Sequence, residues 1–302
     1  MASSIPRSVT SSDASALSAP RPQTWRLVWR ALRNPLSLAG LLIISLLIVI
    51  AFIAPAIAPY DPLKTDTLSR LRPPSREHLL GTDQLGRDIF SRILYGARIS
   101  LRIAILAAAI ALSIGAPVGI VSGYFRGRVD DLLMRLTDMF LSFPSLILAM
   151  AIAAALKPTL ENVIIAISLA SWPAYARLAR SMTLAIREEN YIEAARAVGA
   201  SNSRVLFRHI LPGVVSPVTI QVSLDMGAIL LTAAGLGFIG FGAQPPTPEW
   251  GLMISDGRNY IPGQWWVSTF PGLAISLVVL GFNLLGDGIR DILDPRLRGS
   301  GR

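Results

Sequence analysis

Six apolar runs, each close to the length that crosses a bilayer, constrain this chain more than any other feature. A helix needs about 20 mainly apolar residues to span the hydrocarbon. The runs cover residues 36–57, 99–121, 134–155, 161–179, 215–240 and 270–289. Lipid offers the backbone no hydrogen bonds, so each run must satisfy its own and folds as a helix. The predicted fold class is therefore all-α, a polytopic membrane protein with six transmembrane helices. The runs at 134–155 and 161–179 contain Pro and polar groups, which a membrane helix tolerates where neighbours bond the freed backbone.

Composition removes several kinds of chemistry. Only 16% of the 302 residues are charged, against about a quarter in soluble domains. The chain has no Cys, so it forms neither disulfides nor thiolate metal sites. Its two His, His78 and His209, stand too far apart to imply a metal centre. Both lysines, Lys64 and Lys157, follow Leu, whereas a P-loop needs Gly-Lys followed by Ser or Thr. Any ATP hydrolysis therefore belongs to another polypeptide. Neither Gly-x-Ser-x-Gly nor His-Glu-x-x-His occurs, and no catalytic or metal-ligating residue is predicted. The net charge of +9 is nearly all Arg, placed beside apolar runs. That pattern fits the inner face of a membrane better than nucleic acid.

Basic residues also give an orientation, since they concentrate on the cytoplasmic side. With the N-terminus inside, the inner segments are the tail, 122–133, 180–214 and the C-terminus, all Arg-bearing. The last two outer loops carry only Lys157 and Arg258. The loop after the first run is the exception, with Lys64, Arg70, Arg72, Arg76, Arg87, Arg92 and Arg98. Four regions follow: a disordered, Ser-rich cytoplasmic tail at 1–24; an N-terminal region at 25–96 with the first span and an extracytoplasmic loop; a transmembrane domain at 97–290; and a cytoplasmic tail at 291–302. Within the first region, "TWRLVWRALRNP" reads as a surface helix leading into the first span.

One polar stretch interrupts the apolar pattern, "EENYIEAARAVGASNSRVLFRHILP". Asn190 can cap a helix, with Glu193 closing a capping box. Ile192, Ala195 and Val198 then share a face. Gly199 can take the left-handed conformation that ends a helix. Ser201 can cap a second short helix that stops at Pro212. Residues 190–212 thus read as a helix, a sharp turn and a second helix, either packed on their own bundle or open to another surface.

Glu193-Ala194-Ala195, Gly199-Ala200-Ser201 and Leu211-Pro212 resemble the EAA motif of bacterial ABC-importer permeases. The general pattern has Ile where this chain has His209. "HLLGTDQLGRDIFSRILYGARISL" (78–101), "GLGFIGFGAQPPTPEWGLM" (235–253) and "LLGDGIRDILDPRLR" (284–298) are similar to the C-type subunit of the dipeptide/oligopeptide/nickel permease family. The resemblance covers roughly 25–298. It implies a type I importer permease fold, and a loop at 190–212 that couples the spans to a partner ATPase. It also implies a homologous second permease, two ATP-binding subunits and an extracytoplasmic solute-binding protein. ATP and Mg would sit on those partners, and this chain would bind no cofactor. The location implied is the bacterial inner membrane, and the cargo a dipeptide or oligopeptide, with nickel or another small solute as the alternative.

Other stretches leave choices open. Ile89, Phe90, Ile93 and Leu94 share a face opposite Arg87, Asp88, Ser91 and Arg92, so this helix can lie in the membrane interface or pack on the bundle. Gly115, Gly119, Gly123 and Gly127 recur every four residues, a close-packing face. Trp250, Tyr260, Trp265 and Trp266 read as an interfacial aromatic belt. Arg102 and Asp138 read as snorkelling side chains. Asp287 and Arg290, with Asp291, are expected to tie the last helix to the inner loops. Gln221 and Asp225 are polar groups inside the fifth run and candidates for a pathway. Asp225 is also where an ion-coupled secondary transporter, the competing class, would begin. A membrane scaffold with no transport role is a further alternative.

Overall fold

The computed structural model describes residues 35–293, with side chains to residue 290. The expectations for the 1–24 tail, the surface helix before Pro35 and the 291–302 tail lie outside the described residues. Helices cover every predicted apolar run: α1 (Pro35–Ile57), α2 (Ile89–Phe125), α3 (Gly127–Leu141), α4 (Ser145–Ala155), α5 (Leu160–Arg187), α6 (Asn190–Ala197), α7 (Asn202–Val205), α8 (Leu211–Ile239), α9 (Trp250–Gly257) and α10 (Trp266–Leu293). No β-strand forms among the described residues, apart from a lone bridge between Thr82 and Asp88.

The third predicted span is not straight. α3 and α4 meet at 88° across Ser142, Phe143 and Pro144. Pro144 disfavours helix at Phe143 and fixes its own φ, so the rod breaks there. Four helical stretches are long and apolar enough to cross a membrane: α1, α2, residues 202–239 and α10. The bent α3–α4 pair makes a fifth. α5 is long enough, at 28 residues, but Glu161, Asn162, Arg177 and Arg180 dilute it. It is sheltered instead by α2, the most extensive helix pairing in the fold.

The glycine stripe explains that pairing. A Cβ at Gly115 would strike the Trp172 carbonyl and Tyr175, and one at Gly119 the Ala176 carbonyl. A Cβ at Gly123 would sit 2.9 Å from both the Arg180 carbonyl and Thr183. The backbones of α2 and α5 approach closely only because these side chains are missing. Gly127 departs from the stripe: it faces open space at φ +57° and serves the turn between α2 and α3.

One end of the bundle is capped by residues 58–88 and 240–265. Asp88 caps α2, accepting from the Ser91 N–H and hydroxyl at 2.8 Å and facing His78 Nδ1 at 2.9 Å. Arg92 is 1% exposed and donates to the carbonyls of Pro62 (2.9 Å) and Pro246 (3.3 Å). Arg87 pairs with Asp83 at 2.6 Å. Of the two readings of this helix, packing therefore holds: Arg87, Asp88, Ser91 and Arg92 are all buried.

Glu249 caps α9 by accepting from the N–H groups of Gly251 and Leu252. Burial pushes its carboxyl up to about 6. The aromatic-belt expectation fails for two tryptophans. Trp250 and Trp266 are 2% and 8% exposed, and their indole N–H groups reach the carbonyls of Ile93 and Thr82. Trp265, at 51%, is exposed. Arg102 lies 3.8 Å from Glu161, and Asp138 bonds Arg177 at 2.7 Å, so both sit in ion pairs. Asp287 and Arg290 are exposed on α10 with no ion pair among the described residues.

Candidate functional site

The polar stretch sits at the other end of the bundle, where α2, α5 and α8 converge. Ile192, Val205 and Ile210 are fully buried and join Ile120, Tyr124, Ala179, Val214 and Val218 in one apolar cluster. These residues anchor the loop from beneath. Tyr124, at the end of α2, binds it laterally. Its hydroxyl donates to Asn202 Oδ1 at 2.7 Å, and its carbonyl accepts from Arg187 at 2.9 Å. The Arg196 guanidinium lies 5.3 Å from its ring centre, within cation–π range. Sequence reasoning missed Tyr124 and Arg187, since nothing local marks residues that meet across the bundle.

The two halves of the loop follow different rules from those predicted. α6 begins one residue early, with Glu189 at the cap position and no side-chain cap bond. Asn190 is the first helical residue, so the expected capping box does not form. Ile192 is buried as expected, while Val198 is 85% exposed. Burial, and then the nearby Glu189, push the Tyr191 phenol up. Gly199 takes φ +85°, the conformation expected of it. Ser201 caps α7, accepting from the Arg204 N–H at 3.4 Å.

Pro212 does not stop the second helix. Residues Leu206–Ile210 form a π turn, and α8 starts at Leu211 with Pro212 in its first turn. Proline is tolerated there because the first N–H groups of a helix have no partner inside it. Residues 202–239 therefore form one continuous helical stretch.

The outward side of the loop is open. Glu193, Ala194, Gly199, Ser201 and Pro212 are exposed, and Ala195, Ala200 and Leu211 are half-buried. Val198 and Phe207, 85% and 72% exposed, add apolar surface. These two projecting apolar groups, on a base anchored from beneath, leave apolar surface open to contact with another protein.

The two candidate pathway residues lie elsewhere, in the middle of α8. Gln221 Nε2 donates to Asp225 Oδ1 at 2.9 Å, and both residues are half-buried. Tyr175 of α5 is the other polar neighbour of Asp225. No group of acidic residues and histidines suited to a metal occurs among the described residues.

Comparison with known proteins agrees with this architecture. Residues 115–299 match the family described as the binding-protein-dependent transport system inner membrane component. Residues 23–74 match the N-terminal TM domain of oligopeptide transport permease C. The chain is 46% identical to the dipeptide transport system permease protein DppC of Alkalihalophilus pseudofirmus, covering 91% of this chain and 90% of that one. It is 47% identical to the probable D,D-dipeptide transport system permease protein DdpC of Escherichia coli K12, covering 91% and 92%. It is 46% identical to the glutathione transport system permease protein GsiD of Pectobacterium atrosepticum, again covering 91% and 92%. Among solved structures, a chain of the inward-facing MetNI methionine ABC transporter aligns with a TM-score of 0.56 at 19% identity, covering 68% of this chain and 98% of that one. That likeness concerns the fold.

Proposed function

This chain belongs to the inner membrane component family of binding-protein-dependent transport systems, and from that premise we propose that it moves dipeptides or oligopeptides inward, driven by ATP hydrolysis on partner subunits. The assembly contains a second, homologous permease, two ATP-binding subunits holding ATP and Mg, and an extracytoplasmic binding protein. Both termini and the 190–212 loop face the cytoplasm, and the 58–88 cap faces outward. The fold is consistent with this, because the cap and the loop occupy opposite ends of the bundle.

The observation that carries the reading is the loop itself. Its buried side is fixed by Ile192, Val205 and Ile210, while its outer side presents exposed Glu193, Ala194, Val198 and Gly199 to a partner. Movement of a docked ATPase would reach α8 directly through the continuous helix 202–239. The peptide cargo is taken from the names of the relatives.

The test is reconstitution of this chain with its second permease, the ATPase subunits and the binding protein. Wild type is expected to show ATPase activity that rises with binding protein and peptide. Gly199→Trp and deletion of 194–202 are expected to insert normally and lose that stimulation. Normal transport by either variant would overturn the coupling role.

A further inference from the structure

α8 carries one ionisable side chain near its middle. Asp225 lies about 21 Å from the Leu211 end of a helix about 43 Å long, at 1.5 Å per residue. Tyr175 of α5 lies at a similar level, about 18 Å from the Arg187 end. Gln221 holds one carboxylate oxygen of Asp225 at 2.9 Å. The Tyr175 side chain is fully buried. Its hydroxyl neighbours Asp225 but makes no well-formed hydrogen bond. Two polar side chains, Gln221 and Tyr175, thus flank a half-buried carboxylate.

No cation among the described residues neutralises it. The three arginines of α5 are already engaged, Arg177 with Asp138 at 2.7 Å, Arg180 with Asp130 at 2.6 Å and Arg187 with the Tyr124 carbonyl at 2.9 Å. No ion pair involves Asp225 among the described residues. A partly open carboxylate at this depth does not face lipid. It faces water, a second protein surface, or a cation that arrives from outside the chain.

We propose that Asp225, held by Gln221 and walled by Tyr175, is a binding site for a primary ammonium group, and that it takes the protonated amino terminus of the cargo at the membrane midplane. This inference rests on the peptide reading above. An ammonium supplies the positive charge that the site lacks, with further N–H donors for the carboxylate oxygens. A cation from the second permease is the competing occupant.

The experiment uses the complete transporter in proteoliposomes, with radiolabelled alanyl-alanine as the probe. Wild type, Asp225→Asn and Asp225→Glu are compared for assembly, binding-protein-stimulated ATPase activity and uptake. The expected result is that Asp225→Asn assembles and keeps its stimulated ATPase. Its uptake falls about tenfold or more, the loss expected for a missing charge-assisted hydrogen bond, and more ATP is spent per peptide moved. Asp225→Glu keeps most of the uptake. Unchanged uptake in Asp225→Asn overturns the proposal, as does equal loss in Asp225→Glu. Failure of the Asn variant to assemble with the second permease overturns it too, by assigning the carboxylate to a subunit contact. A wild type that hydrolyses ATP in response to binding protein but moves no alanyl-alanine overturns the peptide reading, and this inference with it.

Discussion

The Tyr124 hydroxyl donates to Asn202 Oδ1 at 2.7 Å, joining the last turn of α2 to the first residue of α7. The carbonyl of the same tyrosine accepts from Arg187 and its ring underlies Arg196, so three parts of this end of the bundle meet on one residue. Tyr124→Phe removes only the hydroxyl bond and is expected to cost about 1 kcal/mol. Tyr124→Ala also removes the ring and is expected to cost about 3 kcal/mol. Thermal unfolding of the purified complex reads the difference. Stimulated ATPase activity should survive the first substitution and fall sharply in the second.

Val198 and Phe207 project from the loop with almost no support from their own chain. Val198→Asp and Phe207→Ser are therefore expected to leave unfolding temperatures unchanged, within about 0.5 kcal/mol. Both should weaken co-purification of the ATPase subunits. A drop in stability with retained ATPase binding would place these residues against some other surface.

Gly119 and Gly127 separate two reasons for glycine. Gly119→Ala forces a methyl onto the Ala176 carbonyl and should cost about 1–3 kcal/mol by overpacking. Gly127→Ala meets no atom but keeps a positive φ, and should cost about 1–2 kcal/mol from backbone strain. Cross-linking between α2 and α5 should loosen only in the first. Equal loosening in both would show that the stripe does not set the helix spacing.

Glu249 gives a pH signature. Burial disfavours the charge and pushes its folded carboxyl up from its ordinary 4.5 to about 6. The folded state thus holds a proton that the unfolded state has released between those values. Its contribution is complete below pH 4.5 and is lost as pH rises towards 6, a change of about 2 kcal/mol. The stability difference between wild type and Glu249→Gln, measured by melting at several pH values, should vary across that window and be flat above it.

Much of this architecture is visible in the sequence because lipid imposes simple rules. The apolar runs, the glycine stripe against α5 and the turn at Gly199 each follow from a local constraint. The 88° break before α4 also has a local signal, Phe143-Pro144, but hydropathy summed over 134–155 averages across it. Trp250 and Trp266 are harder to read. An indole suits an interfacial belt and a core with a carbonyl in reach equally well, and only the fold brings Ile93 and Thr82 close. Arg87 and Arg92 leave two readings open for a related reason. Charge on one helix face reads as solvated until Asp83 and the Pro62 and Pro246 carbonyls appear beside it. The candidate loop was legible in its turn at Gly199 and its cap at Ser201, while the buried anchors Val205 and Ile210 were not singled out. Its lateral anchor, Tyr124, was not, because that contact crosses the bundle.

The π turn at Leu206–Ile210 gives residues 202–239 a mechanical character. With no break between the loop and the span, these 38 residues form a rod about 57 Å long. Such a rod acts as a lever. A tilt of about five degrees about the loop end displaces the far end, beside Gly240, by about 5 Å. Gly240 takes φ +98° at that far end, where its N–H and that of Phe241 bond the Leu236 carbonyl and close the helix. A small tilt at the loop thus becomes a displacement of several ångströms at the opposite end of the bundle.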